Sequence, residues 1–419
     1  MMISWIYVVI LGISSVVGEI PPGCAADEVA RPGGDPCSRN LFSEWLGKTD
    51  SEIDARIQDT FQQIFYGDDE SERIYYPVGD DLAYIWDVAS NDVRSEGMSY
   101  GMMIAVQLDR KEEFDRLWKW AHTYMRHADG PRKGYFAWQC ATDGSQMDPG
   151  SASDGELWIA MTLFLASGRW GDGDGIFNYR AEANAILESM LNANRSHDDI
   201  SSMFDLERKV IRFVPLESWA EVTDPSYQLP SFLECFAKWA DNDREFWAGA
   251  AEAAREMLRK SAHPDTGLMP DYSDFEGRPF VLGGHEDFRF DAWRTIAHVA
   301  LDHVWFGKDP WQPEQSNRVL RFLGGFGADM PNQFTVDGKP LSAQPSSGLF
   351  AMAAVGAQAV DRETGLPFVQ YLWDVPTPTG FYRYYDGLLV LMGLIHVSGD
   401  FCAYAPDQDE EAKCCSTQP

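Results

Sequence analysis

Positive charge is scarce in this chain of 419 residues, which carries 34 lysine and arginine residues against 65 aspartate and glutamate residues. The formal net charge of −31 repels phosphate groups, so we expect neither nucleic acid nor anionic lipid as a partner. Long hydrophobic runs are scarce as well. The apolar run at residues 3–17 is too short to span a bilayer comfortably, and the run at 388–397 is shorter still. Stable insertion into a membrane is therefore not expected.

Metal-binding motifs and strand patterns are also missing or rare. The sequence contains no HExxH and no CxxC motif. Two histidine pairs, His122/His127 and His298/His303, have a spacing of five, which places the members of each pair on different helix faces. Alternating strand patterns are few, and the best is KVIRFVP at 209–215. We therefore expect no metal site, no cofactor and little β-structure.

The two ends of the chain differ in composition from the rest. Residues 1–18 resemble a secretory signal peptide, although they lack lysine and arginine, and residues 19–38 resemble a linker. Residues 406–419 form an acidic tail that we expect to be disordered. Five of the seven cysteines lie near these ends, so export would permit a disulfide between the termini, with the pairing left open. We expect a secreted or periplasmic protein, with Cys140 and Cys235 as buried thiols.

Helical periodicity recurs between the two ends. Apolar residues follow a helical spacing from Phe114 to Met125 and again from Trp293 to Val304. Residues 157–165 are apolar nearly all round, which predicts a helix buried on several sides. Long loops rich in glycine, proline and aspartate join the helices, and such loops are often functional. No change in composition divides residues 39–405, which predicts one all-helical domain.

Two kinds of catalytic chemistry overlap in the stretch SEGMSYGMM, residues 95–103. Gly97 to Gly101 match the G-x-S-x-G pattern of serine hydrolases, with Ser99 as the nucleophile. That pattern requires a buried strand before the turn, and residues 90–96 are too polar for one. The alternative reactive group is Glu96, as the acid of a carboxylate pair.

Glu96, Asp154 and Asp291 each follow a loop and open a predicted helix. Any one of them alone is typical of a helix cap. Aromatic residues lie in the same loops and helix starts: Trp138, Tyr227, Tyr272, Trp293, Tyr384 and Tyr385. Carboxyl groups that move protons and flat rings that stack on sugars are together what a carbohydrate site requires.

As a set, the motifs resemble glycoside hydrolase family 8 over about residues 41–405. They occur in the family's order: DVRSEGMSYGMMIAVQLDRKEEFDRLWKW, GYFAWQC, DGELWIAM, FLASGRWGDG, DPSYQLPSF, HPDTGLMPDY, FDAWR and RYYDGLL. They are most similar to the branch of reducing-end xylose-releasing exo-oligoxylanases. The resemblance implies an all-α (α/α)6 barrel of six inner and six outer helices, with a cleft across one end.

The resemblance also implies roles for particular residues. Glu96 corresponds to the general acid, Asp291 to the general base and Asp154 to the residue that holds the distorted sugar. For the substrate-binding positions, the resemblance implies Trp138, Tyr227, Arg294, Tyr384 and Tyr385, with Arg294 steadying the base. The implied reaction is inverting hydrolysis of β-1,4-linked xylo-oligosaccharides by a monomer, with xylose released from the reducing end.

The sequence departs from the exo-acting branch in one segment. Those relatives have a Leu-His-Pro kink that walls off the cleft beyond the first reducing-end subsite. The matching segment here, residues 341–349, reads LSAQPSSGL, which keeps Pro345 and lacks the histidine. An endo-acting xylanase or β-glucanase of the same family therefore stays open as an alternative. Alternatives from other classes are a serine esterase using Ser99 and a non-catalytic sugar-binding barrel.

Overall fold

The computed structural model describes residues 36–192 and 199–406. The predicted signal peptide, most of the linker and nearly all of the acidic tail lie outside the described residues. Among the described residues, no helix is long and apolar enough to cross a membrane. The α-helices in this part of the chain are α1 (Leu41–Leu46), α2 (Asp50–Tyr66), α3 (Ser95–Gln107), α4 (Lys111–Trp120), α5 (Ser153–Trp170), α6 (Tyr179–Leu191), α7 (Pro230–Trp239), α8 (Arg244–Ser261), α9 (Arg294–Phe306), α10 (Trp311–Gly324), α11 (Ser347–Gly356), α12 (Arg362–Asp374) and α13 (Tyr385–Val397).

Six of these helices form a closed inner ring. Helix α3 packs on α5, and the contacts continue through α7, α9, α11 and α13 until α13 packs on α3 again. Each remaining long helix packs outside one member of the ring: α4 on α3, α6 on α5, α8 on α7, α10 on α9, α12 on α11 and α2 on α13. Inner and outer helices thus alternate along the chain. The predicted all-α fold and the (α/α)6 barrel are both confirmed.

The apolar pattern of each helix explains its layer. Every residue of α3 except Glu96 is buried, and α5 is buried from Ser153 to Ser167. A helix that is apolar all round is stable only when other elements surround it. The outer helix α8 instead has one buried face, formed by residues such as Trp247, Ala254 and Leu258, and the rest of its surface meets solvent. The predicted buried segment at 157–165 therefore belongs to the inner ring.

Short antiparallel sheets lie at one end of the ring. Strand β1 (Tyr75–Val78) pairs with β2 (Leu82–Ile85), and β3 (Val93–Arg94) pairs with β4 (Gln139–Cys140), which in turn pairs with β5 (Gln146–Asp148). Farther along the chain, β6 (Phe204–Asp205) pairs with β7 (Val210–Ile211), and β8 (Val222–Thr223) pairs with β9 (Ser273–Asp274). The predicted strand at 209–215 contributes only β7. These sheets anchor the loops that precede inner helices, because β3 runs directly into α3.

A disulfide joins the two ends of the barrel domain. Cys37 bonds Cys402, 365 residues away in sequence, and the same two residues form a β-bridge. Closing so long a loop restricts the unfolded chain strongly, which in the chain-entropy account stabilises the fold by several kcal/mol, on the order of 4–5. Cys140 and Cys235 are buried thiols, as predicted. The sequence allowed a link between the termini, and the structure identifies its partners.

Candidate active site

The candidate site lies where the N-terminal ends of inner helices meet. Glu96 is the second residue of α3, and Asp154 is the second residue of α5. Asp291 lies in a 3-10 turn, Phe290–Trp293, that leads into α9, and Tyr385 is the first residue of α13. Helix N-termini carry partial positive charge, which favours carboxylates there. The ring therefore collects at one end three acidic residues that are far apart in the sequence.

Arg294 holds the three carboxyl groups together. Its Nη1 donates to Glu96 Oε2 at 3.0 Å and to Asp154 Oδ2 at 3.3 Å, and its Nη2 lies 3.3 Å from Asp291 Oδ1. The same guanidinium also donates to the hydroxyl of Tyr100 and, at 2.8 Å, to Ser226 Oγ. Arg294 is only 2% exposed, so its charge acts on the carboxyl groups with little screening by water. It contacts all three acids, and not the predicted base alone.

Glu96 is placed to hold a proton near neutral pH. Burial first, and the nearby Asp291 second, raise the pKa of Glu96 to about 8, and Arg294 opposes only part of this shift. The hydroxyl of Tyr384 donates to Glu96 Oε1 at 3.2 Å. The Glu96 side chain keeps 18% of its surface exposed, so a ligand can still reach it. A protonated, accessible carboxyl group is what a general acid requires.

Asp291 has a more open and more polar environment. Its side chain is 28% exposed, and Oδ1 accepts a hydrogen bond from the Tyr385 hydroxyl at 3.2 Å. The preceding residue, Phe290, has a φ of +39°, a backbone conformation that non-glycine residues rarely adopt. Tyr385 also donates to the carbonyl of Phe290 at 3.2 Å, which helps to hold this turn. Tyr384 and Tyr385 are thus neighbours in sequence that contact different acids.

Asp154 is the most enclosed of the three predicted acids, at 3% exposed. Burial raises its pKa to about 6, while Arg294 and a hydrogen bond with Tyr227 act in the opposite direction. Tyr227 itself is 4% exposed and lies in the 3-10 turn Pro225–Tyr227, just before α7. The two residues therefore form one buried hydrogen-bonded pair beside Arg294.

Glycines in the motifs permit the close packing of the site. A Cβ at Gly97 would lie 2.6 Å from the ring and hydroxyl of Tyr384, so any side chain there would displace the tyrosine from Glu96. A Cβ at Gly155 would lie 2.7 Å from the Oγ of Ser95, where the starts of α3 and α5 touch. The glycines after Glu96 and after Asp154 therefore let the two acidic residues approach each other.

Aromatic side chains lie around the site. Trp138 is half-buried beside the start of α3, and its carbonyl accepts a hydrogen bond from the Ser95 amide at 3.0 Å. Three more rings, which were not predicted from the sequence, adjoin the turns that carry Asp291 and Tyr384: Phe290, Phe381 and Tyr382 are 43%, 61% and 69% exposed. Exposed rings of this kind provide flat surfaces for the apolar faces of sugars.

Ser99 is not placed as a nucleophile. It is completely buried, and its Oγ donates to the carbonyl of Glu96 at 2.8 Å, within its own helix. No hydrogen bond among the described residues joins Ser99 to a histidine, and the sheets in the same part of the chain have two or three strands each. A serine hydrolase elbow requires a strand and a base, so this geometry argues against the esterase alternative.

Two further aspartates near Asp291 were not predicted. Carboxylate oxygens of Asp224, Asp271 and Asp291 lie within 4.8 Å of one another, and Asp224 and Asp271 are 0% and 1% exposed. Among the described residues, this cluster is the group that could hold a metal ion. Asp224 lies in the motif DPSYQLPSF and Asp271 in the motif HPDTGLMPDY. Their membership in these family motifs was the signal from which the sequence could have indicated them. The expectation of a metal-free site stays a prediction.

Comparisons with known proteins agree with this architecture. The family model described as Glycosyl hydrolases family 8 matches residues 85–399. The chain is 45% identical to the reducing-end xylose-releasing exo-oligoxylanase Rex8A of Paenibacillus barcinonensis, over 87% of this chain and 96% of that protein. It is 42% identical to a reducing-end xylose-releasing exo-oligoxylanase of Halalkalibacterium halodurans, over 89% of this chain and 96% of the relative.

A solved structure gives the same result in three dimensions. The crystal structure of a GH8 xylobiose complex from Teredinibacter turnerae matches with a TM-score of 0.85 and 44% sequence identity. The match covers 88% of this chain and 98% of that one. Sequence and fold therefore agree over nearly the whole described region. This chain belongs to glycosyl hydrolases family 8 and is a glycoside hydrolase.

Proposed function

We propose that this enzyme hydrolyses β-1,4-linked xylo-oligosaccharides with inversion and releases xylose from their reducing end. The observation that carries the proposal is a pair of carboxyl groups in unlike environments, Glu96 and Asp291, held by different nitrogens of Arg294. The names of relatives 42–45% identical to this chain, and the xylobiose in the Teredinibacter structure, support the choice of sugar.

In this proposal Glu96 is the general acid. Its raised pKa keeps the carboxyl group protonated near neutral pH, so it can donate the proton to the glycosidic oxygen as the bond breaks. Asp291 is the general base and removes a proton from the water that attacks the opposite face of the sugar. The base needs lone pairs free for that proton, and the exposed part of its side chain leaves it open to water.

Asp154 and Tyr227 serve to hold the sugar whose bond is cut. They form a buried hydrogen-bonded pair beside the two reactive groups, so their polar atoms are available at fixed positions. Arg294 holds all three acids and keeps the distance between acid and base constant. Constant geometry allows a water molecule to stay between base and sugar, which inversion requires.

Hydrogen bonds connect residues 341–349, the segment that would close the cleft at the reducing end, to Trp293 in the turn that carries the base. Asn332 connects them, because its carbonyl accepts from Trp293 Nε1 at 3.0 Å while its amide donates to the carbonyl of Gln344 at 2.9 Å. Ser342 Oγ also donates to Asn332 Oδ1 at 2.6 Å. This bonding supports an ordered wall, and the exposed Gln344 and Pro345 occupy its outer part. We therefore infer exo action with some cleavage at internal bonds.

The product pattern tests this proposal. Xylotetraose carrying a ¹³C label in its reducing-end residue is expected to give labelled free xylose and unlabelled xylotriose first. The new reducing end of xylotriose should form as the α-anomer, because inversion of a β-linkage requires it. NMR within minutes of mixing follows both products and anomers. Xylobiose as the main first product would favour the endo-acting alternative, and a β-anomer would disprove inversion.

The pH dependence tests the assignment of the acid. Glu96 must be protonated to act and its pKa is raised from 4.5 to about 8, so kcat/KM should be retained below that pH and fall as the pH rises through it. Activity should also fall at acidic pH, because the proposed mechanism requires a base that carries no proton. Initial rates on xylotriose across the pH range measure both limbs. An alkaline limb centred near pH 5 would contradict the raised pKa of Glu96.

We also propose that residues 1–18 are a signal peptide that directs export of the enzyme, and that residues 39–405 form its catalytic barrel. The disulfide between Cys37 and Cys402 supports export, since such bonds form in oxidising compartments. The monomeric state stays a prediction.

A further inference from the structure

Asp271 contacts the turn that carries the proposed base. Its Oδ1 accepts a hydrogen bond from the amide of Ala292, the residue after Asp291, at 3.2 Å. Its Oδ2 lies 2.5 Å from Nδ1 of His285. The His285 ring is stacked on Tyr272 with 4.2 Å between centroids and an interplanar angle of 4°, which fixes the direction of Nδ1. Asp271 thus links a fixed imidazole to the backbone of the base.

This turn requires support from outside. The φ of +39° at Phe290 is a strained conformation for a residue with a side chain, so the surrounding structure must hold it in place. The Asp271 bond to Ala292 and the Tyr385 bond to the Phe290 carbonyl lie on either side of Asp291 in the sequence. Without one of them, Asp291 would be free to move away from the attacking water.

The charges around Asp271 limit how many of these carboxyl groups can ionise. Asp224, Asp271 and Asp291 have oxygens within 4.8 Å of one another, and Asp224 Oδ2 is buried without a hydrogen-bond partner. Arg294 is shared with Glu96 and Asp154, so it cannot balance three further charges. Asp291 is the most exposed of the three and accepts from Tyr385, whereas Asp224 and Asp271 are enclosed.

We propose that Asp271 is a positioning residue for the general base and that it acts as an uncharged carboxyl group. Its hydroxyl donates to Nδ1 of His285, and its carbonyl oxygen accepts from Ala292. In this state both oxygens are satisfied and no negative charge is added beside Asp291. The inference rests on the proposed function, because it assigns the base role to Asp291.

The surroundings of both partners agree with this state. Burial first and then Asp291 raise the pKa of Asp271 well above its ordinary value, against the opposing effects of Arg294 and Arg289. Burial and Arg289 lower the pKa of His285, with Asp291 and Glu286 opposing. The imidazole is therefore neutral near pH 7 and is available as an acceptor.

Substituting Asp271 by asparagine or by alanine distinguishes the contribution of its hydrogen bonds from that of its charge. Asparagine reproduces the uncharged carboxyl group, with its NH₂ facing His285 and its carbonyl facing Ala292, so Asp271→Asn should keep kcat within about threefold of the wild type. Asp271→Ala removes both bonds and should lower kcat about 30- to 100-fold, with KM changed by less than about threefold. Asp274 provides the matched control, because it lies three residues along the chain and its carboxylate binds Arg278 and nearby amides. Asp274→Asn and Asp274→Ala should stay close to wild-type activity.

A second measurement does not depend on activity. ¹⁵N-labelled histidine NMR at about pH 7–8 should show His285 with an unprotonated Nδ1 in the wild type and in Asp271→Asn. Any of three results would overturn the proposal: an Asp271→Asn variant as inactive as Asp291→Asn, a fully active Asp271→Ala variant, or a protonated Nδ1 of His285. If Asp271→Ala fails to fold, the asparagine variant and the NMR signal decide. If the wild type does not hydrolyse xylo-oligosaccharides, the proposed function fails, and the NMR signal still tests the state of Asp271.

Discussion

Replacing Glu96 by glutamine is expected to lower kcat on xylo-oligosaccharides by about 10²–10⁴-fold, the usual contribution of general acid catalysis. The amide keeps the size of the side chain, its oxygen can still accept from Arg294 and its NH₂ group can donate to the Tyr384 hydroxyl, but it cannot donate the proton that the leaving oxygen requires. Steady-state rates on xylotriose, with far-UV circular dichroism to verify the fold, measure the effect. A loss below tenfold in a folded variant would contradict the assignment.

Ser99→Ala is the matched control for this substitution. Ser99 lies one helical turn from Glu96, and its Oγ donates only to the Glu96 carbonyl. Its loss should cost about 0.5–1.5 kcal/mol of stability and change kcat by a few-fold at most. The esterase alternative would be favoured by two results together: a Ser99→Ala variant that is nearly inactive, and a wild-type enzyme that a fluorophosphonate labels.

Replacing Asp291 by asparagine is expected to lower kcat by a similar factor, about 10²–10⁴-fold, because the amide cannot accept the proton of the attacking water. Binding should survive, since the asparagine oxygen can still accept from Tyr385 and the buried pair of Asp154 and Tyr227 is unchanged. Rates on xylotriose and calorimetric binding of the same sugar to the variant separate the two effects.

Binding and turnover together also test the non-catalytic alternative. If Asp291→Asn loses binding as well as turnover, Asp291 holds the sugar and another group is the base. If the wild type and the Glu96 and Asp291 variants bind equally and none of them cleaves, the barrel is a sugar-binding protein. Asp274→Asn serves again as the control for a neutralised aspartate outside the site.

The helical fold was predictable from local pattern. Residues 157–165 are apolar all round, and the structure places them in α5 of the inner ring, because only a position surrounded by helices buries every face. The (α/α)6 arrangement itself came from the resemblance of the motifs to the family. Periodicity alone identifies helices and their exposed faces, but not which helix lies beside which.

The site was predictable in part. Glu96, Asp154, Asp291 and Arg294 meet as the motifs implied, although their catalytic roles stay predictions until the variants are measured. Tyr384 and Tyr385 could not be told apart, since consecutive residues at a helix start differ in direction and only the packed ring shows which acid each one reaches.

Asp224 and Asp271 illustrate what local sequence cannot show. Each lies in a loop motif that also contains an aromatic residue. An aspartate in a loop usually has solvent around it, so the motif alone does not indicate a buried carboxyl group. Their proximity to Asp291 depends on three loops that are tens of residues apart in the sequence, and their burial changes which of them can ionise. A pKa is a property of surroundings, so it cannot be read from the residue type.

The sequence by itself determined the class of the protein, because residue order dictates helical periodicity, the acidic net charge and the family motifs. The tertiary structure decided which cysteines pair, which tyrosine serves which acid and which carboxyl groups share the charge of Arg294. The reason is that these properties depend on distances of a few ångströms between residues far apart in the chain. Such distances arise only when the inner ring closes and brings the starts of its helices together.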